Sequence, residues 1–184
     1  MLISSKIYQG INGEIKIPGD KSISHRSIII PSISNGKCEV KNLLKSEDVL
    51  NTMKAFKLMG VEMHETNNGL IINGKGLASL SKPSKEIYLG NSGTSARLLT
   101  GLLASQNFNS IIEGDKSLSS RPMNRIINPL KIMGAQFDNI SGNLPLKIIG
   151  RNLKNSEIII DIPSAQIKSG ILLAAINTEG KSKI

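Results

Sequence analysis

One pattern recurs along this chain and narrows what it can fold into: a strand, a turn of small residues, then an apolar helix. Repeats of this kind fix an architecture more firmly than any local propensity. "PGDKSISHRSI" (18–28) aligns with "LGNSGTSARLL" (89–99) at a shift of 71 residues, so that Gly19 meets Gly90, Ser24 meets Ser95 and Arg26 meets Arg97. A fainter third copy, "IPSAQIKSGILL" (162–173), comes after strand-like residues Glu157–Ile162.

The segments after each turn repeat as well. After the first turn a strand is expected over Cys38–Leu43, then a helix from Ser46 to about Gly60. Ser46 suits an N-cap, and Glu47 and Asp48 suit the first turn, where the helix dipole favours acids. Val49, Met53, Phe56 and Met59 or Leu58 give the buried stripe. "GVEMHETNNGLIING" reads as a hairpin turning at Asn68-Gly69. After the second turn come a strand at Ser110–Glu113, a helix from about Arg121 to Met133 and a second hairpin in "GAQFDNISGNLPLKIIG". Pro122 suits the first turn of that helix, and Pro129 falls inside it, where a kink is expected.

The expected fold class is therefore α/β (α+β), built from βαβαββ units: two units over about 18–85 and 86–155, and part of a third over 156–184. The third has its strand, a helix over about Ser164–Ala175 and the start of a strand at Lys181–Ile184. An unfinished unit leaves strand edges and an apolar face uncovered, so the chain is expected to be a fragment or to be completed by something else. Residues 1–17 sit outside the repeat. "INGEIKIPG" reads as one strand, Glu14–Ile17 at its core, ending at a Pro-Gly pair where a domain crossover is expected.

Composition excludes several function classes. The hydrophobic fraction of 39% supports a core, but aromatics are only 3%, so that core must be aliphatic. No apolar run is long enough to span a membrane, and the first residues lack the apolar segment of a signal peptide. A cytoplasmic protein is expected, with the single Cys38 a structural thiol. The net charge is +9, but the lysines are scattered and no aromatic RNA-binding motif is present, so an anionic small molecule explains the charge better than nucleic acid. His25 and His64 have no partner at metal-ligand spacing.

The turns themselves are the candidate sites. Helix N-termini offer free N–H groups to anions. A cation at such an end is unfavourable, so Lys21 beside the first helix start, and Arg121 just before Pro122, both point to a bound phosphate or carboxylate. Ser22 and Ser24 can donate to the same oxygens, and Arg26 lies one turn on from Ser22 with a bidentate fork. In the second turn Gly93 allows close approach of a ligand to the backbone, flanked by Gly90, Thr94 and Arg97. The spacing is neither that of a dinucleotide-binding loop nor that of a P-loop. "SAQIKS" (164–169) adds the neutral donors Ser164 and Gln166.

"PGDKSISHR", "LGNSGTSARL", "GDKSLSSRPM" and "SAQIKS" resemble, in order and spacing, successive motifs of the 5-enolpyruvylshikimate-3-phosphate synthase (3-phosphoshikimate 1-carboxyvinyltransferase) family. The resemblance covers nearly the whole chain. It implies an inside-out α/β barrel-type fold of two domains, of which residues 18–184 would form an incomplete N-terminal one and residues 1–17 a strand of the missing second. It implies transfer of the enolpyruvyl group of phosphoenolpyruvate to the 5-hydroxyl of shikimate 3-phosphate, with release of phosphate and no metal or organic cofactor. It assigns Lys21 to both substrates. Ser22, Arg26, Ser164, Ala165 and Gln166 would hold shikimate 3-phosphate, and Asn91, Gly93, Thr94, Arg121 and Gln166 the phosphoenolpyruvate side. Asp48 and Arg97 would support them. Gly93 stands where some herbicide-tolerant relatives carry Ala, which implies a glyphosate target. The family's acid/base carboxylates belong to the second domain, so the chain alone is expected to be inactive. The alternatives are the sister enolpyruvyl transferase acting on UDP-N-acetylglucosamine, which differs at Lys21-Ser22, and a non-catalytic module binding phosphoanions or nucleic acid.

Overall fold

The computed structural model describes residues 4, 10, 12–67, 69–138 and 141–184. Helix α1 spans Lys21–Ile33 and is followed by strand β1 (Asn35–Lys41), helix α2 (Glu47–Leu58) and strands β2 (Glu62–Thr66) and β3 (Gly69–Lys75). The second stretch runs through strand β4 (Ile87–Tyr88), helix α3 (Gly93–Ala104), strand β5 (Ser110–Glu113), helices α4 (Lys116–Ser119) and α5 (Asn124–Ile132), and strands β6 (Gln136–Asp138) and β7 (Leu146–Ile149). Helix α6 (Ala165–Ala175) closes the series.

The strands form two sheets of matching design. In the first, β1 and β2 both pair antiparallel with β3, so Ile72 faces Cys38 on one side and Met63 on the other. In the second, β5 and β6 both pair antiparallel with β7, and β4 adds a parallel edge on β5. Both expected hairpins are present as β2–β3 and β6–β7, although Asn68, half of the first expected turn, lies outside the described residues.

Helix α3 occupies the centre. Ten of its twelve residues are buried; its four leucines and two alanines combine apolar surface with good helix propensity, and Gly101 gives some propensity up for close packing. It packs on α6 with almost no space between backbones: a Cβ at Gly101 would come to 1.9 Å of the Gly170 carbonyl oxygen, and one at Gly170 to 2.8 Å of the Arg97 carbonyl oxygen. The core around it is aliphatic as expected, with Phe56 its one fully buried aromatic among the described residues. Val49, Met53, Phe56 and Met59 are all buried, so the stripe read for α2 is its packed face.

Four expected elements differ. Residues 12–17 form no strand, and Ile15 and Ile17 are 81% and 72% exposed. A strand needs a ladder partner, and among the described residues none lies beside this segment. Glu157–Ile162 is likewise no strand; it meets 181–184 through a single parallel bridge, Glu157 with Lys183, and the ion pair between their side chains. The helix expected from Arg121 is two helices: Asp115 caps a short α4 by accepting from the Leu118 N–H, and α5 starts only at Asn124, with Met123 at its N-cap. Pro122 explains the break, because it disfavours helical backbone at the residue before it. Helix α5 then runs on through Pro129. Finally, the strand expected over Cys38–Leu43 is β1, which starts at Asn35 and ends at Lys41, before Asn42 turns the chain with a φ of 54°.

Candidate functional site

The first turn is an open, cationic rim. Asp20 Oδ1 accepts the Ile23 N–H at 2.7 Å, which closes the exposed end of α1. Lys21 Nζ donates to Asp48 Oδ2 at 2.5 Å, with Lys21 51% and Asp48 20% exposed. The negative charge that Lys21 needs at a helix start is thus supplied from within the chain, by Asp20 and by the first turn of α2. A ligand is not required to explain it. Ser22 and Arg26 are exposed, and among the described residues neither side chain has a hydrogen-bond partner. Ser24, by contrast, is buried and accepts the Leu44 N–H at 3.0 Å, so it belongs to the fold.

The second turn is already wired. Ser92 caps α3 by accepting the Ser95 N–H. Arg97 Nη1 donates to the Gly93 carbonyl and to Gln166 Oε1, both at 3.2 Å, and Gln166 Nε2 donates to Thr94 Oγ1 at 2.9 Å. Burial, with Arg121 and Arg125 nearby, lowers the Arg97 guanidinium from its ordinary value. Arg121 Nη2 donates to Asn91 Oδ1, and Asn91 Nδ2 donates to Asp115 Oδ2 at 3.1 Å. Gly93 sits beneath both arginines: a Cβ there would meet Arg97 Nη1 at 2.8 Å and Arg121 Nη1 at 3.2 Å.

Arg121 does not stand at a helix N-terminus. Its N–H bonds the Leu118 carbonyl at the C-terminal end of α4, where the dipole favours a cation. The dipole reason for expecting an anion at Arg121 therefore fails, while its position over Gly93 brings it to the same turn by another route.

The third turn joins the second. Ser164 caps α6, its Oγ accepting the Ile167 N–H at 3.4 Å. Ala165 is exposed, and Gln166 reaches Thr94 and Arg97 because Gly101 and Gly170 let α3 and α6 touch. A buried chain of side chains joins the first turn to the second. His25 Nδ1 lies 2.8 Å from Thr52 Oγ1 and 3.3 Å from Ser95 Oγ; Thr52 Oγ1 and Ser95 Oγ are 2.6 Å apart, as are Ser95 Oγ and Ser92 Oγ. Burial holds the His25 imidazole at about 4, with Lys21 and Arg26 pushing the same way and Asp48 opposing. All three turns therefore lie on one connected face. Among the described residues no group of three or more His, Cys, Asp or Glu is placed to hold a metal ion, and no helix is long and apolar enough to cross a membrane.

The family model of EPSP synthase (3-phosphoshikimate 1-carboxyvinyltransferase) matches residues 6–184. The chain belongs to the EPSP synthase family. It is 45% identical over 179 residues to 3-phosphoshikimate 1-carboxyvinyltransferase of Lactococcus lactis subsp. lactis, covering 96% of this chain and 42% of the relative. To the enzyme of the same name from Oceanobacillus iheyensis it is 49% identical over 171 residues, covering 92% and 40%. The solved EPSP synthase of Acinetobacter baumannii superposes with a TM-score of 0.89 at 46% identity, over 92% of this chain and 39% of that one. The chain thus spans about two fifths of the length of these EPSP synthases.

Several residues of this face escape a reading for charged turns. Thr52, Ser92, Ser95 and Asp115 are short polar residues whose roles depend on distant partners. One signal for the first was available: Lys21 and His25 are spaced by one helical turn, as are Asp48 and Thr52, so the first helix pair can meet at two points.

Proposed function

We propose that this chain forms one wall of an enolpyruvyl-transfer site, holding shikimate 3-phosphate and phosphoenolpyruvate at the three helix starts. The observation that carries the reading is the joining of these starts into one face, which leaves Lys21, Ser22 and Arg26 outward at one end and Arg121, Asn91, Thr94 and Gln166 grouped at the other. On this reading the two sheets and their helices are two βαβαββ units of an inside-out barrel-type domain, 156–184 opens a third, and residues 1–17 cross to a facing domain.

Both substrates are polyanions, and a preorganised cluster of cations and backbone N–H groups suits them. Arg26 and Ser22 hold the phosphate of shikimate 3-phosphate, with Ser164, Ala165 and Gln166 on its other side. Arg121, Asn91, Thr94 and the Gly93 backbone hold phosphoenolpyruvate, and Arg97 braces Gln166. Lys21 exchanges Asp48 for the two substrates. The 5-hydroxyl gives up its proton and its oxygen bonds C2 of phosphoenolpyruvate, an enol phosphate, while C3 gains a proton, giving a tetrahedral adduct. Loss of phosphate from C2 and of a proton from C3 restores the double bond. The two substrates balance this reaction, so it calls for no cofactor. The groups that move these protons come from the facing domain, and the 184 residues alone bind substrate without turning it over.

Calorimetry with shikimate 3-phosphate tests the reading. Arg26→Ala weakens binding by about tenfold or more, the loss of a charge-assisted contact; equal binding by the variant overturns the assignment. Phosphate release by the purified chain above a Lys21→Ala control would show that it does turn over unaided.

A further inference from the structure

Helices α1 and α2 meet at two rungs. The outer one is the Lys21–Asp48 ion pair and the inner one is His25–Thr52, each rung one helical turn from the other on both helices. The inner rung is fully buried: His25 and Thr52 both have no exposed surface. Its hydrogens can be placed in one coherent direction. Thr52 Oγ1 lies 3.2 Å from the Asp48 carbonyl; donating there, it accepts from His25 Nδ1–H, which leaves His25 Nε2 without a proton to bury. It also accepts from Ser95, which accepts in turn from Ser92, whose oxygen takes the Ser95 N–H. Each proton is then used once, and the tautomer is assigned from the network. His25 Nε2 carries a lone pair, is buried and has no partner among the described residues. A second imidazole proton would have nowhere to go, which agrees with the depressed basicity of the ring.

We infer that His25 is a positioning residue for Lys21: the His25–Thr52 rung, anchored to Ser95 on α3, fixes the register of α1 on α2 and so places the Lys21 ammonium against Asp48, ready for transfer to an incoming anion. The chain of contacts is short. Thr52 is bonded to the backbone of Asp48 itself, and His25 sits one turn from Lys21. Removing the rung loosens the start of α1 against α2, since Ile28 and Ile29 anchor the helix further along and the exposed ion pair is too weak to fix the first turn by itself. The substrate part of the inference rests on the proposed role of Lys21; the register part does not.

The test uses the 184-residue chain with 13C-labelled lysine. The Lys21 ε-methylene cross-peak is assigned by its loss in Lys21→Arg, and its position without the ion pair by Asp48→Asn. In His25→Leu, and in the isosteric Thr52→Val should His25→Leu not fold, the cross-peak moves towards its Asp48→Asn position. His25→Asn, whose amide occupies the place of Nδ1, restores it. Shikimate 3-phosphate affinity falls about fivefold in the Leu variant and recovers in the Asn variant. In a Lys21→Ala background His25→Leu costs nothing further, a non-additivity that general loosening would not give. A Lys21 cross-peak unmoved in Thr52→Val, or unrestored by His25→Asn, overturns the inference. If the cross-peak responds as stated while the wild-type chain binds no shikimate 3-phosphate, the register inference stands and the proposed function fails.

Discussion

The turns that open α1 and α3 share a sequence pattern and arrive at opposite states. At α1 the cations point outward: Lys21 is half exposed on one partner, and Ser22 and Arg26 are exposed without side-chain partners among the described residues. At α3 the cations are half-buried and bonded, Arg97 to Gly93 and Gln166, Arg121 to Asn91. The reason lies in what each helix packs against. Helix α1 lies over the first sheet and α2, with its start at the rim, whereas α3 has α6 pressed against it and α4 ending beside its first turn. A repeated motif sets where a turn forms, and its neighbours set whether the turn is preorganised or left free to adapt.

The largest expected effect breaks the packing that encloses the α3 turn. Gly101→Ala sets a Cβ against the Gly170 carbonyl, and neither backbone can yield cheaply. It costs about 3 kcal/mol or more in urea unfolding. If it is neutral, α3 and α6 do not touch as described.

Acid attacks the link between the two turns. An unfolded histidine binds a proton near 6.5, whereas His25 in the fold resists until about 4. Between those values the unfolded state binds more protons, so stability is lost as pH falls through the window. The loss is on the order of 2 kcal/mol, and His25→Asn abolishes it. A flat profile from pH 6.5 to 4 in thermal melts of the native chain would contradict the buried neutral imidazole.

Ser95→Ala comes next, costing about 1–2 kcal/mol by leaving Thr52 and Ser92 short of a partner in the core. Gly93→Ala is milder, under about 1 kcal/mol, because its new Cβ meets the movable ends of Arg97 and Arg121 rather than backbone. It acts on the face instead, displacing both guanidinia, which a shifted arginine Nε resonance would report. Lys21→Ala is smallest in stability, within about 0.5 kcal/mol for an exposed pair, yet it removes a proposed anion contact. A large loss of stability there would mean that the α1 turn is bound into the fold as firmly as the α3 turn.

Much of this was legible in the residues. Turn positions, the buried stripe of α2 and both hairpins follow from apolar period and from glycine and proline, which act over a few residues. The motifs were legible as residue patterns, and the substrate roles of their residues, with Asn91 and Ala165 among them, came from the family resemblance alone. Arg121 was placed at a helix start because Pro122 suits a first turn; in the fold, Asp115 instead caps a separate helix and Pro122 falls in the gap. The strand at Glu157–Ile162 has the right residues and lacks a ladder, which no local pattern can supply.

The sequence by itself determined the repeated strand–turn–helix order and the residues that could face an anion, because sterics and periodicity act locally. The tertiary structure decided which charges are free. Lys21 meets Asp48 across 27 positions, Arg97 meets Gln166 across 69 and Thr94 meets Gln166 across 72. Such pairings depend on how closely helices approach, and here that approach is set by two glycines, Gly101 and Gly170, and one buried histidine.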